Sequence, residues 1–268
     1  MDIHLFFLTL LSLIFLTTLK TKEYLIYSIK RMFLTLNNIQ ENWLKAVVAG
    51  GYTRACLISL VKTDINQFHS DAGNYVENKQ RTTAHKQVET NCSSCKSLAD
   101  VLECPTNGYC KGKPCTLHAG KRVDINHACV ILMQYIVKNH KHCRPSWKNT
   151  DVTHWGSDPW SLAGCFLPRD GYEGANTAED TDLNGFLSVI LNCEIFKQYV
   201  NDWEKPDNIC EKARKALNKF RHSPTMSLSD EELTDYIGTL KNHLENSGPL
   251  KKLPDVQDAV LKLSKLEK

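Results

Sequence analysis

The chain has 268 residues, 42% of them hydrophobic and 24% charged, with a formal net charge of +3. That is ordinary globular composition, with ample material for a buried core. The charge is too weak to mark the whole chain as a nucleic-acid binder, although local clusters can still act.

The first notable stretch is apolar. Residues 5–19, LFFLTLLSLIFLTTL, are interrupted only by threonines and a serine, and Lys20, Lys22, Lys30 and Arg31 follow. Fifteen residues are short for a spanning helix, which needs about 20. Extension through Tyr24–Tyr27 restores the length only by taking in polar residues. As a signal peptide the stretch lacks a positive start, since Asp2 stands there, and it shows no small-x-small cleavage site. A membrane anchor over 5–27, a signal and an added extension all stay open. As an anchor, the downstream cations place the body on the cytoplasmic side. If translation starts at Met32, the product is a soluble cytoplasmic protein.

Residues 37–68 read as two short helices broken at Gly50-Gly51, with Ile39, Trp43, Leu44 and Val47 at helical spacing. Residues 70–91 are polar and read as a loop. Of the 11 cysteines, seven lie between Cys92 and Cys143, and Pro105, Gly108, Gly112, Pro114 and Gly120 stand among them. Such a segment cannot build a core and needs a cross-link. The odd cysteine total argues against a complete disulfide framework.

Zinc takes four soft ligands at tetrahedral angles, which usually arrive as two close pairs. Cys110 and Cys115 form one pair, and His127 and Cys129 the other, at the start of a helix expected over 127–140. This is the preferred structural zinc set. Cys92, Cys95, Cys104 and Cys110 form a second. Disulfides and unligated thiols are the bland alternatives. Cys165 and Cys193 sit in apolar surroundings and read as small core residues.

Residues 143–172 are rich in Trp and turn formers. Asp158-Pro159 has the pattern of an N-cap and first helical residue, so a short helix is expected to carry Trp160 to Phe166. The tryptophans read as packing for a joint rather than as a binding surface. His154 stays open between a zinc ligand and a surface residue.

The last ninety residues hold four periodic helices: 182–200, 207–222, one opened by the capping box Ser229–Glu232, and one from Pro254. Each carries the i, i+3, i+4, i+7 stripe of a bundle helix. The second is basic, with Lys212, Arg214, Lys215, Lys219 and Arg221 beside an apolar stripe through Ala213, Leu217 and Phe220. A solvated bundle face and an anion-binding face both fit that pattern, the latter because phosphate contacts release counterions.

The motifs NWLKA, WKNTDVTHWGSDPWSLAGCFLPRDGY, TDLNGFLSVILNC and FRHS follow one another around the cysteine-rich middle. In that order they resemble the uncharacterised animal family of the human X-chromosome open reading frame thirty-eight protein. They also resemble relatives whose C-terminal half looks like the HEPN helical domain of the DAZ-interacting zinc-finger ubiquitin ligase. The resemblance covers roughly residues 35–246. It implies a four-helix bundle that often dimerises. In active HEPN members an Arg and a His four to six residues on cleave RNA without metal.

Here Asn218, His222 and Ser223 match the family's segment, but Leu217 stands at the Arg position. Leucine offers neither a base nor a cation for a phosphodiester. Arg214 shares a helix face with Asn218 and His222, at a spacing outside the family's range. Arg214, Asn218 and His222 are thus a degenerate candidate site.

The resulting expectation is a mainly α protein in four parts. They are a hydrophobic extension (1–31), N-terminal helices (32–69), a zinc-stapled cysteine-rich segment with its helix (70–143), and a Trp-rich joint with an HEPN-like bundle (144–268). Its expected function is a non-enzymatic interaction or RNA-binding module, with a protein partner or a second copy in a homodimer, RNA, and a membrane through 5–27 as the partner classes. The alternative is a metal-independent endoribonuclease with a degenerate site.

Overall fold

The computed structural model describes residues 38–80, 98, 127–221 and 225–267. The described residues are mainly helical, with no β-strand among them; the one β-bridge joins His140 and Cys193. The 5–27 segment lies outside them, as do Cys92, Cys95, Cys104, Cys110, Cys115, His118 and His222.

The spine is a 43-residue helix, α1, Asn38–Gln80. Its inward stripe is Asn42, Ala46, Ala49, Thr53, Cys56, Leu57, Val61, Ile65, Phe68, Ala72 and Val76. Those steps of three and four residues keep one face turned inward along the whole length. This helix corrects two expectations. It does not break at Gly50-Gly51, and residues 70–80 are its last turns rather than a loop. Gly50 is tolerated because its bareness is used: a β-carbon there would stand 3.2 Å from the Tyr236 hydroxyl oxygen. Packing on both sides of the pair outweighs the roughly 1 kcal/mol that a glycine costs inside a helix. The last turns persist because Phe68 and Tyr75 both pack on Tyr135, with ring centroids 5.2 and 5.1 Å away.

In the early part of α1, Trp43 and Val47 of the expected stripe pack half-buried against the core. Ile39 is 45% exposed, while the small residues Ala46 and Ala49 are buried. By length and composition α1 is the one described helix able to cross a membrane. Its inward stripe nevertheless packs against most of the other helices of this fold.

Among the described residues, six further α-helices with defined bounds surround the spine: α2, Ala128–Lys138; α3, Pro159–Ala163; α4, Leu183–Asn192; α5, Ile209–Arg221; α6, Asp230–Glu245; and α7, Pro254–Leu266. α1 packs on α2, α3, α4, α6 and α7, and neighbours pair in the order α4–α5, α5–α6 and α6–α7. Local signals fix several ends. Asp158 caps α3, accepting from Trp160 N and Ser161 N, with Pro159 at the first turn. The Ser229–Glu232 capping box opens α6. The expected 182–200 helix is α4 followed by a 3-10 segment, Glu194–Tyr199.

Trp155 and Trp160 pack in the core. Trp155 is fully buried and its Nε1 donates to Thr150 Oγ1 at 2.7 Å. Trp160 Nε1 donates to the Ala175 carbonyl at 3.1 Å. Each buried ring thus has its one polar atom satisfied. His154 is exposed and lies 3.0 Å from an Asp151 carboxylate oxygen, and Cys165 and Cys193 are fully buried.

Candidate functional site

The candidate site is the outer face of α5, and its geometry follows from the stripe beneath it. Cys210, Ala213, Leu217 and Phe220 are buried. Leu217 is 5% exposed, and Phe220 packs between Trp43 and Tyr236, with both ring centroids 5.4 Å away. Asn208 secures the start of the helix, its side-chain oxygen accepting from Glu211 N at 3.0 Å.

With Leu217 inward, the charged residues turn outward, and most of them meet carboxylates. Arg214 lies 3.0 Å from Glu211, Lys219 3.3 Å from Glu232, and Arg221 2.7 Å from Asp182. Lys212 and Lys215 are exposed and make no ion pair among the described residues. Of the degenerate set, Arg214 and Asn218 therefore share α5, with the Arg214 head turned to Glu211. His222 lies outside the described residues.

The Arg221 contact belongs to a polar network that sequence reasoning missed. Asp182 caps α4 by accepting from Gly185 N at 2.8 Å, and it also accepts from the Tyr172 hydroxyl at 2.7 Å. Asn184 donates to the same hydroxyl at 3.0 Å. Burial, then the Asp182 carboxylate, pushes the Tyr172 phenol well above its ordinary range. Beside it, Arg54 of α1 donates to the carbonyls of Thr181 (2.7 Å) and Glu179 (2.5 Å), with its guanidinium 5.7 Å from the Phe186 ring centre. Burial holds the Arg54 pKa below its usual value, against the pull of Asp182 and Glu179. The partners come from α1, the 172–182 loop, α4 and α5, so no local pattern announces them.

A second missed feature is an open polar groove of about 490 Å³ between the 201–208 turn and the end of α6. It is lined by Asn201, Lys205, Lys212, Glu245 and Asn246 among others. The turn residues around Pro206 are its one trace in the sequence.

Of the preferred zinc ligands, the structure describes one pair. His127 Nδ1 lies 3.0 Å from Cys129 Sγ, and both residues are buried at the start of α2. The same nitrogen accepts from Cys129 N at 3.3 Å, which caps the helix. The Nδ1 lone pair is thus taken up by the helix cap, which leaves Nε2 as the His127 nitrogen that can hold a metal. Cys110 and Cys115 lie outside the described residues, and no group of three potential metal ligands occurs among those described.

A long spine helix carrying a helical C-terminal half, with an amphipathic basic helix at its surface, defines the class: a helical protein with a bundle-like C-terminal region. Residues 101–268 match the model of the family described as Domain of unknown function (DUF4559), and the chain belongs to that family. It is also similar to the Mus musculus "Uncharacterized protein CXorf38 homolog", at 24% identity over 219 residues. That alignment covers 81% of this chain and 57% of the mouse protein, so the chain spans a little over half the length of that relative. No solved structure matches.

Proposed function

We propose that this chain is a non-enzymatic interaction module whose C-terminal helices form an HEPN-like bundle that engages a protein partner or a second copy of itself. The observation that carries the reading is the burial of Leu217, 5% exposed at the position where an active HEPN relative carries Arg. Arg214 is no ready substitute, because its head is turned to Glu211. Lys219 and Arg221 likewise meet carboxylates, which lowers the positive charge that α5 offers to a phosphate backbone.

The test is incubation of the full-length chain with single-stranded RNA, beside His222→Ala. No cleavage by either protein is expected. Metal-independent cleavage lost in His222→Ala would establish the ribonuclease alternative instead. Salt-sensitive binding without cleavage would identify RNA as the partner, through Lys212 and Lys215.

The same reading includes a structural zinc held by Cys110, Cys115, His127 and Cys129. Its support is the burial of His127 and Cys129 side by side, residue types that zinc takes, with His127 ligating through Nε2 because its Nδ1 caps the helix. Metal analysis of the purified chain should find about one zinc per chain, and Cys129→Ala should lose it. Freely titrating thiols with no bound zinc would refute the site. For localisation we propose a cytoplasmic-facing body, held to the membrane through 5–27 in the full-length form and soluble if translation starts at Met32. Fractionation of the full-length and Met32-start forms tests this, and a soluble full-length form would remove the anchor.

A further inference from the structure

We propose that α7 docks antiparallel on α7 of a second copy of this chain through its outer, Leu261-bearing face, about a two-fold axis at the level of Val260 along the helix. The inference rests on the self-association reading above and names its surface. Leu261 stands on the outer face of α7, 65% exposed, the most exposed of the large hydrophobic residues described. A solitary exposed leucine is common. What selects the occupant is the order of charge around it.

Asp255 and Asp258 precede Val260 by five and two residues, and Lys262 and Lys265 follow it by two and five. All four are exposed. An antiparallel copy centred on Val260 sets Asp255 opposite Lys265 of the second copy and Asp258 opposite Lys262 of the second copy. The two-fold repeats both pairs. A parallel copy would set Asp against Asp and Lys against Lys, so the charges reject it.

Within one chain, Asp258 and Lys262 already pair at 2.5 Å, one helical turn apart. Asp255 and Lys265 make no ion pair among the described residues. The docked arrangement supplies partners for both and places Leu261 beside Leu261 of the second copy. Val48 of α1, 38% exposed, lies one helical turn from Tyr52, whose ring sits under Lys262, and so adds apolar surface at the flank. One helix pair is a small contact, so the dimer forms on the order of micromolar concentrations or above.

The test is sedimentation velocity of the full-length chain in non-ionic detergent over a concentration and salt series. The expected result is a dimer that weakens as salt rises, and at least about a tenfold loss of affinity in Leu261→Asp. Two charge-reversed proteins are then compared, Asp255→Lys with Asp258→Lys and Lys262→Glu with Lys265→Glu. Each is expected to be monomeric alone, and an equal mixture is expected to form a heterodimer, which also shows that both are folded. A wild-type chain that stays monomeric overturns this surface and the self-association reading together. A dimer that survives all the substitutions overturns this surface and leaves self-association through another face. Charge-reversed chains with wild-type helix content that fail to pair when mixed overturn the antiparallel arrangement.

Discussion

Gly50 of α1 lies so close to Tyr236 of α6 that a β-carbon would meet the phenol oxygen at 3.2 Å. That oxygen is buried and has no hydrogen-bond partner among the described residues. Gly51, one position on, faces open space, with nothing within 4 Å of its would-be β-carbon. Adjacent glycines in one helix thus do different work. Gly51→Ala should stabilise the protein by up to about 1 kcal/mol, the helix-propensity gain alone. Gly50→Ala should forfeit that gain and recover it when combined with Tyr236→Phe. Urea unfolding of the two single variants and the double variant measures the coupling. Equal gains at both glycines would refute the close approach.

Acid should destabilise the fold between pH 6.5 and about 4. Burial, reinforced by neighbouring His142, pushes His140 down to about 4, and burial alone does the same to His243. The folded state therefore holds these rings neutral where the unfolded chain, with an ordinary imidazole pKa of about 6.5, binds a proton. Their contribution is fully present above pH 6.5 and is lost as pH falls through that window. For His243, whose ring nitrogens are buried without partners among the described residues, the loss is on the order of a few kcal/mol. His243→Leu should flatten the pH dependence of the unfolding midpoint. An unchanged slope would show that other groups carry it.

Arg54 ties the spine to the loop ahead of α4 through the carbonyls of Thr181 and Glu179. Arg54→Ala should cost about 2 kcal/mol, the scale of hydrogen bonds made by a charged donor. It should also speed proteolytic nicking around 177–181, because that loop loses its tether to α1. Limited proteolysis followed by mass spectrometry reads the second effect independently of global stability.

Gly164→Ala should be far more damaging than Gly50→Ala or Arg54→Ala. A β-carbon at 164 would sit 2.1 Å from the Asn149 carbonyl oxygen, a backbone atom that cannot step aside. A loss of roughly 3 kcal/mol or more is expected, at the severe end for single substitutions. Thermal unfolding would show it as a midpoint depressed by several degrees.

Features with local causes were legible in the sequence. The capping box at Ser229, the Asp158–Pro159 start of α3 and the inward place of Leu217 each follow from residues within two turns of one another. The continuity of α1 was not legible. What stabilises it at Gly50 is the approach of Leu183 and Tyr236, far along the chain. What holds its last turns is Tyr135, and a polar stretch needs only Ala72 and Val76 to keep an inward face. The pairing of the α5 cations was not legible for the same reason. Arg221 and Lys219 are read from sequence as cations, yet their carboxylate partners Asp182 and Glu232 stand outside α5, at the starts of α4 and α6.

The route of the spine has a consequence for how the protein is made. The start of α1 is fastened to residues nearly the length of the described chain away: Asn42 donates to the Leu228 carbonyl and to Asp230, 188 residues on. Farther down, α1 packs on α7, the described helix that follows all the others in chain order. At about 5–20 residues per second, α1 leaves the ribosome on the order of ten seconds or more before those partners exist. During that interval its stripe from Ala46 to Val76 has no completed core to enter. A message truncated ahead of residue 228 would leave the stripe without these partners permanently, so the cell should handle such fragments as chaperone clients or degradation substrates rather than as shortened, working proteins.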